Sequence, residues 1–166
     1  MKKYNHLFGP VPSRRFGRSL GIDLTPYKTC NFDCIFCQLG KTTAKTMERR
    51  EYIPEEEVIE ELGDWIKSSG EADYITLAGS GEPTLHSRFG EVIEFARKAS
   101  GIPVALLTNG ALLGNADVRA AASKANVVKI SLSAGDPASF KYIGKLERTN
   151  QILSKSTKGN SYYTVP

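Results

Sequence analysis

The fold of this chain is organised around the stretch Thr29-Cys-Asn-Phe-Asp-Cys-Ile-Phe-Cys-Gln-Leu-Gly40, which contains all three cysteines in the spacing C-x3-C-x2-C. Three thiolates so close together can bind one soft metal centre, because thiolate sulfur favours iron–sulfur clusters, zinc and copper(I). A four-iron cluster ordinarily has four cysteine ligands. Three cysteines leave one iron without a protein thiolate, and an open coordination position is where a metal can react with another molecule.

Other interpretations of the same three cysteines stay open at this point. A zinc site needs further ligands, and the two histidines, His6 and His86, do not stand at zinc-finger spacing from the cysteines. A disulfide across so short a spacing would be strained or redox-active, and it would leave one thiol over. The three cysteines could also be a fortuitous group of free thiols.

The composition is that of an ordinary globular protein. Its 166 residues, 40% apolar and 24% charged, suit one domain with its own core. The net charge of +4 permits a nucleic-acid partner without requiring one. We find no signal-peptide pattern and no stretch as long as a membrane span. Clustered thiols without a signal sequence indicate a reducing compartment, so we expect a cytoplasmic protein with no membrane partner.

Strands alternate with helices along most of the chain. Apolar runs predict strands at residues 20–24, 74–78, 103–107 and 127–132. Apolar residues at helical spacing predict helices from residue 54 to 70, from 87 to 99, after residue 115 and after residue 136. This alternation predicts an α/β fold with a parallel sheet and about four βα units.

The segments that suggest chemistry all follow the ends of these predicted strands. The cysteines follow the first strand, residues 79–83 the second, residues 108–110 the third and residues 131–135 the fourth. In a parallel sheet these strand ends lie at one edge, where active sites are built. Each segment alone would be an ordinary turn, but together with the cysteines they predict one pocket.

The cysteine motif resembles the signature of the radical S-adenosylmethionine (radical SAM) superfamily. The match consists of Cys30-x3-Cys34-x2-Cys37 with the aromatic Phe36 before the last cysteine. The resemblance implies that these cysteines hold a [4Fe-4S] cluster whose open iron binds S-adenosylmethionine (SAM). It further implies an external electron donor, cleavage of SAM to a 5′-deoxyadenosyl radical, and packing of Phe36 near the adenine.

Three downstream segments extend the resemblance. The turn after the second strand is similar to the family's Gly-Gly-Glu-type motif, which implies that Gly79, Gly81 and Glu82 hold the amino group of SAM. Asn109 corresponds to the end of the third strand, which lines the same pocket in the family. Ser131 matches, more loosely, a region that contacts the ribose or the SAM carboxylate. No catalytic acid or base can be assigned.

Residues 8–18 form a separate candidate site. Two prolines and two glycines predict an irregular loop there. Its Arg14, Arg15 and Arg18 are candidates for binding an anion or a substrate, because guanidinium groups suit phosphate and carboxylate; a solvated basic turn is the alternative. The run also resembles an uncharacterised radical SAM subgroup related to the tRNA wyosine-base synthases, which implies an RNA base as the substrate.

The resemblance covers four βα units, whereas the family core has about six. We therefore expect residues 1–145 to form the N-terminal part of a partial (β/α) barrel without its C-terminal units. Residues 146–166 are predicted to be a polar tail, disordered or produced by truncation. A fragment of a longer chain and a short form that assembles with a partner are the alternatives. A sheet that ends at the fourth strand would have a bare edge, so we expect self-association through it or low stability.

Two alternatives to a radical SAM enzyme stay open. The chain could be a non-catalytic metal-binding module, holding zinc or a degenerate cluster. It could also be a pseudo-enzyme that keeps the cluster without holding SAM productively, because the last strands of the barrel are missing. The metal content separates the first alternative, and a SAM-cleavage assay separates the second.

Overall fold

Eight strands and four α-helices make up the described part of the chain, which in this computed structural model comprises residues 4–68, 70–144 and 162–164. The strands are β1 (Leu7–Ser13), β2 (Gly17–Ile22), β3 (Thr29–Cys30), β4 (Ala44–Lys45), β5 (Tyr74–Leu77), β6 (Val104–Thr108), β7 (Val127–Ile130) and β8 (Tyr162–Thr164). The helices are α1 (Glu55–Lys67), α2 (Phe89–Ser100), α3 (Ala116–Ala122) and α4 (Pro137–Gly144). Six strands form one sheet in the order β1-β2-β5-β6-β7-β8, and β3 pairs with β4 in a separate ribbon.

The four central strands confirm the predicted α/β class. β2, β5, β6 and β7 are parallel and each pairs with the next, while α1, α2 and α3 connect them in sequence. A mostly parallel sheet with these helices is compatible with a partial (β/α) barrel. All four parallel strands therefore end at the same edge of the sheet, which is called the C-terminal edge below.

Helix α1 shows how the sequence produces these connections. Pro54 stands immediately before the helix, and three glutamates occupy its first turn, where the positive end of the helix dipole favours them. Val58, Leu62 and Trp65 recur at helical spacing and are buried against the core. Amphipathic spacing thus fixes which face of the helix packs on the sheet.

One apolar core fills the space between the sheet and the first three helices. Buried side chains from both layers contribute to it, among them Leu20, Ile22, Val58, Leu62, Ile75, Leu77, Phe89, Ile93, Val104, Leu106 and Val118. A second, smaller cluster forms where Phe140 of α4 meets Phe32 of the cysteine loop. Among the described residues, no helix combines the length and the apolar character needed to cross a membrane.

The prediction of an irregular loop at residues 8–18 is wrong. β1 and β2 pair antiparallel, from Leu7 opposite Ile22 to Ser13 opposite Gly17, with a register shift between Phe8 and Val11. Proline is tolerated on an edge strand because the missing N–H faces away from the ladder, and β1 is such a strand. This pairing also starts β2 earlier than the predicted first strand.

The prediction of a bare edge beyond the fourth strand is also wrong along part of β7. Residues 162–164 form β8, which pairs antiparallel with Val127–Lys129. A short antiparallel strand therefore covers the edge at this point. The predicted polar tail from residue 146 onward otherwise falls outside the described residues, and so does the predicted domain limit at residue 145.

Candidate metal and cofactor site

Hydrogen bonds join three loops at the C-terminal edge of the sheet. The backbone N–H of Lys28, in the cysteine loop, donates to the carbonyl of Ser80 at 2.8 Å, and the N–H of Glu82 donates to the carbonyl of Thr29 at 3.1 Å. After β6, the side-chain amide of Asn109 donates to Asn31 Oδ1 at 2.6 Å. The structure thus brings the cysteine loop together with the turns after β5 and β6.

The three cysteines are free thiols in partly buried positions. Cys30 ends β3, while Cys34 and Cys37 lie in the following turn, where the N–H of Cys37 donates to the carbonyl of Cys34 at 3.1 Å. No disulfide forms among them. Within the described residues, no three His, Cys, Asp or Glu side chains converge on a point where a single metal ion would bind. A four-iron cluster presents a different iron to each thiolate, so its ligands need not converge in this way.

Several donors surround the cysteine sulfurs. The backbone N–H of Phe32 lies 3.5 Å from Cys30 Sγ and the Asn109 amide lies 3.8 Å from it, while the Lys28 ammonium lies 3.2 Å from Cys37 Sγ. Burial raises the pKa of Cys30 to about 11, partly opposed by the Phe32 N–H. Burial also raises the pKa of Cys34. The raised pKa values mean that Cys30 and Cys34 keep their protons more readily than an exposed cysteine. A bound cationic centre would favour their deprotonation.

Helix α4 holds the cysteine loop from the other side. The ring of Phe140 packs edge-on against Phe32 with centroids 5.4 Å apart. The N–H groups of Asp33 and Ile35 donate to the carbonyls of Gly144 and Ile143 at 3.2 and 3.0 Å. These carbonyls belong to the end of the helix, where intrahelical partners run out. The loop is therefore shaped by the protein's own contacts.

Phe36, the predicted adenine neighbour, stands on the open side of this loop. Its side chain is 58% exposed, and the adjacent Ile35 is 51% exposed. Large apolar side chains exposed next to each other favour contact with another apolar or aromatic group. The packing of Phe36 near an adenine stays a prediction.

Glu82 is bound by the protein itself at its predicted SAM site. The carboxylate is buried, and it accepts hydrogen bonds from the hydroxyls of Thr84 and Thr108 at 2.6 Å each and from the N–H of Asn109 at 2.8 Å. Burial raises its pKa, and these hydrogen bonds oppose the effect. Glu82 therefore ties the turn after β5 to the end of β6, whatever contact it makes with a ligand.

Gly79 and Gly81 permit close approaches that no side chain could allow. Gly79 has a φ of +142°, and a Cβ there would lie 2.5 Å from Cγ of Asp23. A Cβ at Gly81 would lie 1.8 Å from the backbone oxygen of Thr29. Both glycines are therefore required by the packing of their turn against the segment after β2.

Ser131 lies at the same edge and bonds within its own segment. Its N–H donates to the carbonyl of Thr108 at 2.8 Å, and its hydroxyl accepts from the Lys129 ammonium at 2.6 Å. The structure thus places Ser131 beside the end of β6, next to Asn109. Its predicted contact with the ribose or carboxylate of SAM stays a prediction.

The three arginines lie at the opposite end of the sheet. Arg14 and Arg15 are in the β1–β2 turn and Arg18 is near the start of β2, whereas the cysteines follow the end of β2. A strand rises about 3.3 Å per residue, so the length of β2 separates the two groups by roughly 17 Å. Arg18 pairs with Glu71 at 3.2 Å, and both side chains are exposed. The structure does not bring the arginines to the cysteine loop.

Both histidines are bound elsewhere. His86 is buried, with Nε2 at 2.8 Å from the carbonyl of Ile53 and Nδ1 accepting from the N–H of Arg88. Burial lowers the pKa of His86. His6 lies 3.3 Å from Glu57 of α1. Neither imidazole is directed at the cysteines, so the geometry does not favour a zinc site completed by histidine.

The residues present fit an iron–sulfur cluster with a ligand beside it. Three thiols lie on one loop, and an ammonium and two N–H donors are directed at their sulfurs. The Nδ2 atom of Asn31, next to Cys30, is buried without a hydrogen-bond partner among the described residues. A buried donor without an acceptor is costly, and an inorganic sulfide or a bound ligand would supply one.

Sequence reasoning missed Lys28, Asn31 and Asp23 as members of this site. Asp23 accepts hydrogen bonds from the N–H groups of Ser80 at 2.9 Å and Thr25 at 3.3 Å, so it orients the glycine turn. Asn31 was visible in the sequence as a polar residue between the cysteines of the motif. Lys28 gave no signal, because a lysine before a turn is ordinarily solvated.

Fold and site together define a mostly parallel α/β protein with a three-cysteine centre at the C-terminal edge of its sheet. The sequence profile of the Radical SAM superfamily matches residues 24–159. The chain therefore belongs to the radical SAM superfamily, as the cysteine motif predicts.

Curated relatives include proteins longer than this chain. A UPF0026 protein of Methanocaldococcus jannaschii is 36% identical over 154 residues, which cover 92% of this chain and 47% of that protein. A Brachyspira hyodysenteriae protein named GTPase Obg is 42% identical over 141 residues, which cover 85% of this chain and 21% of that protein. A Saccharolobus islandicus protein named probable GTP 3′,8-cyclase is 28% identical over 140 residues, which cover 84% and 43%. The chain thus spans about half the length of the UPF0026 relative.

Proposed function

We propose that this chain binds a [4Fe-4S] cluster through Cys30, Cys34 and Cys37 and holds SAM beside it as a radical SAM enzyme. When bound, the cluster supplies the electron that cleaves SAM to a 5′-deoxyadenosyl radical. The observation that carries the proposal is the meeting of the three thiols with the turns after β5 and β6 at one sheet edge. Membership of the superfamily supports the same chemistry.

The chain's own residues would bind, orient and shield these groups. The glycine turn brings backbone groups of residues 79–81 to the edge, where they suit an amino group, and Glu82 fixes that turn. Asn109 joins the end of β6 to Asn31 beside Cys30. The Phe32–Phe140 pair covers the side of the cysteine loop that faces α4, which would limit the access of water from that side.

The test is anaerobic reconstitution, counting of iron and sulfide, and EPR of the reduced protein with and without SAM. We expect about four irons and four sulfides per chain and an EPR signal that changes when SAM is added. Cys34→Ala serves as a control and should lose most of the iron. A cluster signal that ignores SAM would assign the chain to the pseudo-enzyme alternative. A colourless protein that takes up zinc instead of iron would overturn the proposal.

We propose a nucleotide as the substrate, either a base within RNA or a free nucleotide. The resemblance to the wyosine-related subgroup supports RNA, and the relative named GTP 3′,8-cyclase supports a nucleotide. Both share a nucleobase and phosphate. The three arginines Arg14, Arg15 and Arg18 allow RNA to be distinguished from a free nucleotide. Only a polymer can reach from the cysteine loop across roughly 17 Å of strand to these arginines.

If the substrate is RNA, Arg14→Ala should weaken its binding and lower the slope of log K against log salt by about 1. Arg14→Lys keeps the charge and should retain most of the affinity. Binding of a free nucleotide should be unchanged in both variants. Fluorescence anisotropy over a salt series measures all of these, and equal RNA affinity in the alanine variant and the wild type would exclude this turn as a phosphate contact.

The proposed setting is the cytoplasm, where a reducing compartment keeps the thiols available and an external donor supplies the electron. Self-association is proposed through β8, which takes the place of β7 as the edge strand of the described sheet. Analytical ultracentrifugation over a concentration series tests for it.

A further inference from the structure

A buried lysine stands against the last cysteine of the motif. Lys28 is 2% exposed, and its ammonium lies 3.2 Å from Cys37 Sγ. Lysine is almost never fully buried without a partner, because desolvating an ammonium is costly. The neutral thiol of Cys37 is a weak acceptor and a poor compensation for this cost. An anionic sulfur at the same position would be a strong acceptor and would compensate for the cost of burying the ammonium.

The backbone of Lys28 is held in an uncommon conformation. Its φ of +58° makes it the single non-glycine residue with a positive φ in the described part of the chain. Two hydrogen bonds fix it there: its N–H donates to the carbonyl of Ser80 at 2.8 Å, and its carbonyl accepts from the N–H of Ala44 at 3.1 Å. A glycine would meet this backbone geometry without strain. The lysine side chain therefore requires a reason beyond the turn.

The environment of the other sulfurs agrees with a role in charge compensation. Cys30 Sγ lies 3.5 Å from the N–H of Phe32 and 3.8 Å from the amide of Asn109, both neutral donors. Lys28 alone among these donors carries a full charge. Net charge and hydrogen bonds to the sulfurs are two of the means by which a protein sets the reduction potential of an iron–sulfur cluster.

We infer that Lys28 is a positioning residue that stabilises the reduced form of the cluster by placing a buried positive charge against the Cys37 thiolate. The inference rests on the proposed function, since it requires a cluster on the three cysteines. Reduction adds one negative charge, and a nearby buried ammonium favours that state because little solvent screens the interaction. Lys28 contacts Cys37, a proposed cluster ligand, and we assign it no contact with the bond of SAM that breaks.

The test compares Lys28→Met with the wild type in an EPR-monitored redox titration of the reconstituted chain. We expect the equilibrium to shift about ten-fold toward the oxidised cluster, which is about 59 mV for a one-electron couple. Lys41→Met is the matched control, because it removes the same charge from an exposed position in the same loop. It should leave the potential unchanged.

A second variant guards against a simple folding defect. Lys28→Gly suits the φ of +58° and removes the ammonium, so it should fold and show the same shift as the methionine variant. Potentials equal to that of the wild type in both variants would overturn the role of Lys28 and leave the proposed function intact. If neither variant folds without the cluster, as judged by circular dichroism, Lys28 is required for folding, and its proposed role in the reduction potential is overturned as well. A wild type that forms no cluster would overturn both proposals.

Discussion

Gly81→Ala is expected to lower the free energy of unfolding by about 3 kcal/mol and to remove most of the iron uptake. A Cβ at this position would lie 1.8 Å from the backbone oxygen of Thr29, and backbone cannot rotate away as a side chain can. The same shift would break the hydrogen bond from the Glu82 N–H to that oxygen. Thr29 immediately precedes Cys30, so the displacement directly reaches the first of the three cysteines proposed to hold the cluster.

Gly135→Ala is the matched control for this steric argument. A Cβ at Gly135 would have no atom within 4 Å, so the same chemical change should alter neither stability nor iron content. Urea unfolding of the cluster-free chain and an iron assay after reconstitution measure the two effects. Wild-type stability in Gly81→Ala would show that the turn can move without cost, which would contradict the close packing of Gly81 against Thr29.

Glu82→Ala is expected to lower the free energy of unfolding of the cluster-free protein by about 3–5 kcal/mol. The substitution leaves the hydroxyl of Thr108 and the N–H of Asn109 without the acceptor that they share in the folded state. For a chain of this size that loss corresponds to a fall in melting temperature of roughly 10 °C. Glu60→Ala, an exposed position on α1, is the control and should have little effect.

The absence of SAM from this measurement separates two roles of Glu82. A residue that only contacts SAM would change the affinity for SAM and leave the melting temperature of the ligand-free protein unaltered. A residue that joins β5 to β6 changes the melting temperature first. An unchanged melting temperature in Glu82→Ala would therefore refute the structural role and return the residue to its predicted place as a SAM ligand.

The pH dependence of this stability difference has a defined sign. Burial raises the pKa of Glu82 in the folded state above its usual 4.5. Between pH 4.5 and the pKa of Glu82 in the folded state, the folded state holds a proton that the unfolded state has lost. The part of the stability that comes from binding this proton is therefore fully present below pH 4.5, and it is lost as the pH rises through the folded pKa. The difference between wild type and Glu82→Ala should therefore shrink as the pH rises through that window, and a difference that grows would contradict the assignment.

Several elements of the fold could be read directly from the sequence. Amphipathic spacing in Val58, Leu62 and Trp65 predicts α1, and continuous apolar runs predict β5, β6 and β7 within a few residues. The hairpin at residues 7–22 was missed, because prolines and glycines that indicate a loop are also tolerated on an edge strand. β8 was missed because a three-residue strand carries no periodic signal of its own.

The sequence by itself determined the class of the protein and the edge of the sheet at which its candidate site lies. The C-x3-C-x2-C spacing groups three thiols whatever the surrounding fold, and alternating strands and helices require the strand ends to share one edge. Only the tertiary structure decided what the individual side chains do there. Burial and hydrogen-bond partners come from segments distant in sequence. Ser80 fixes Lys28 beside Cys37, and Thr108 and Asn109 hold Glu82. The length of β2 places Arg14 at the far end of the sheet from the cysteines.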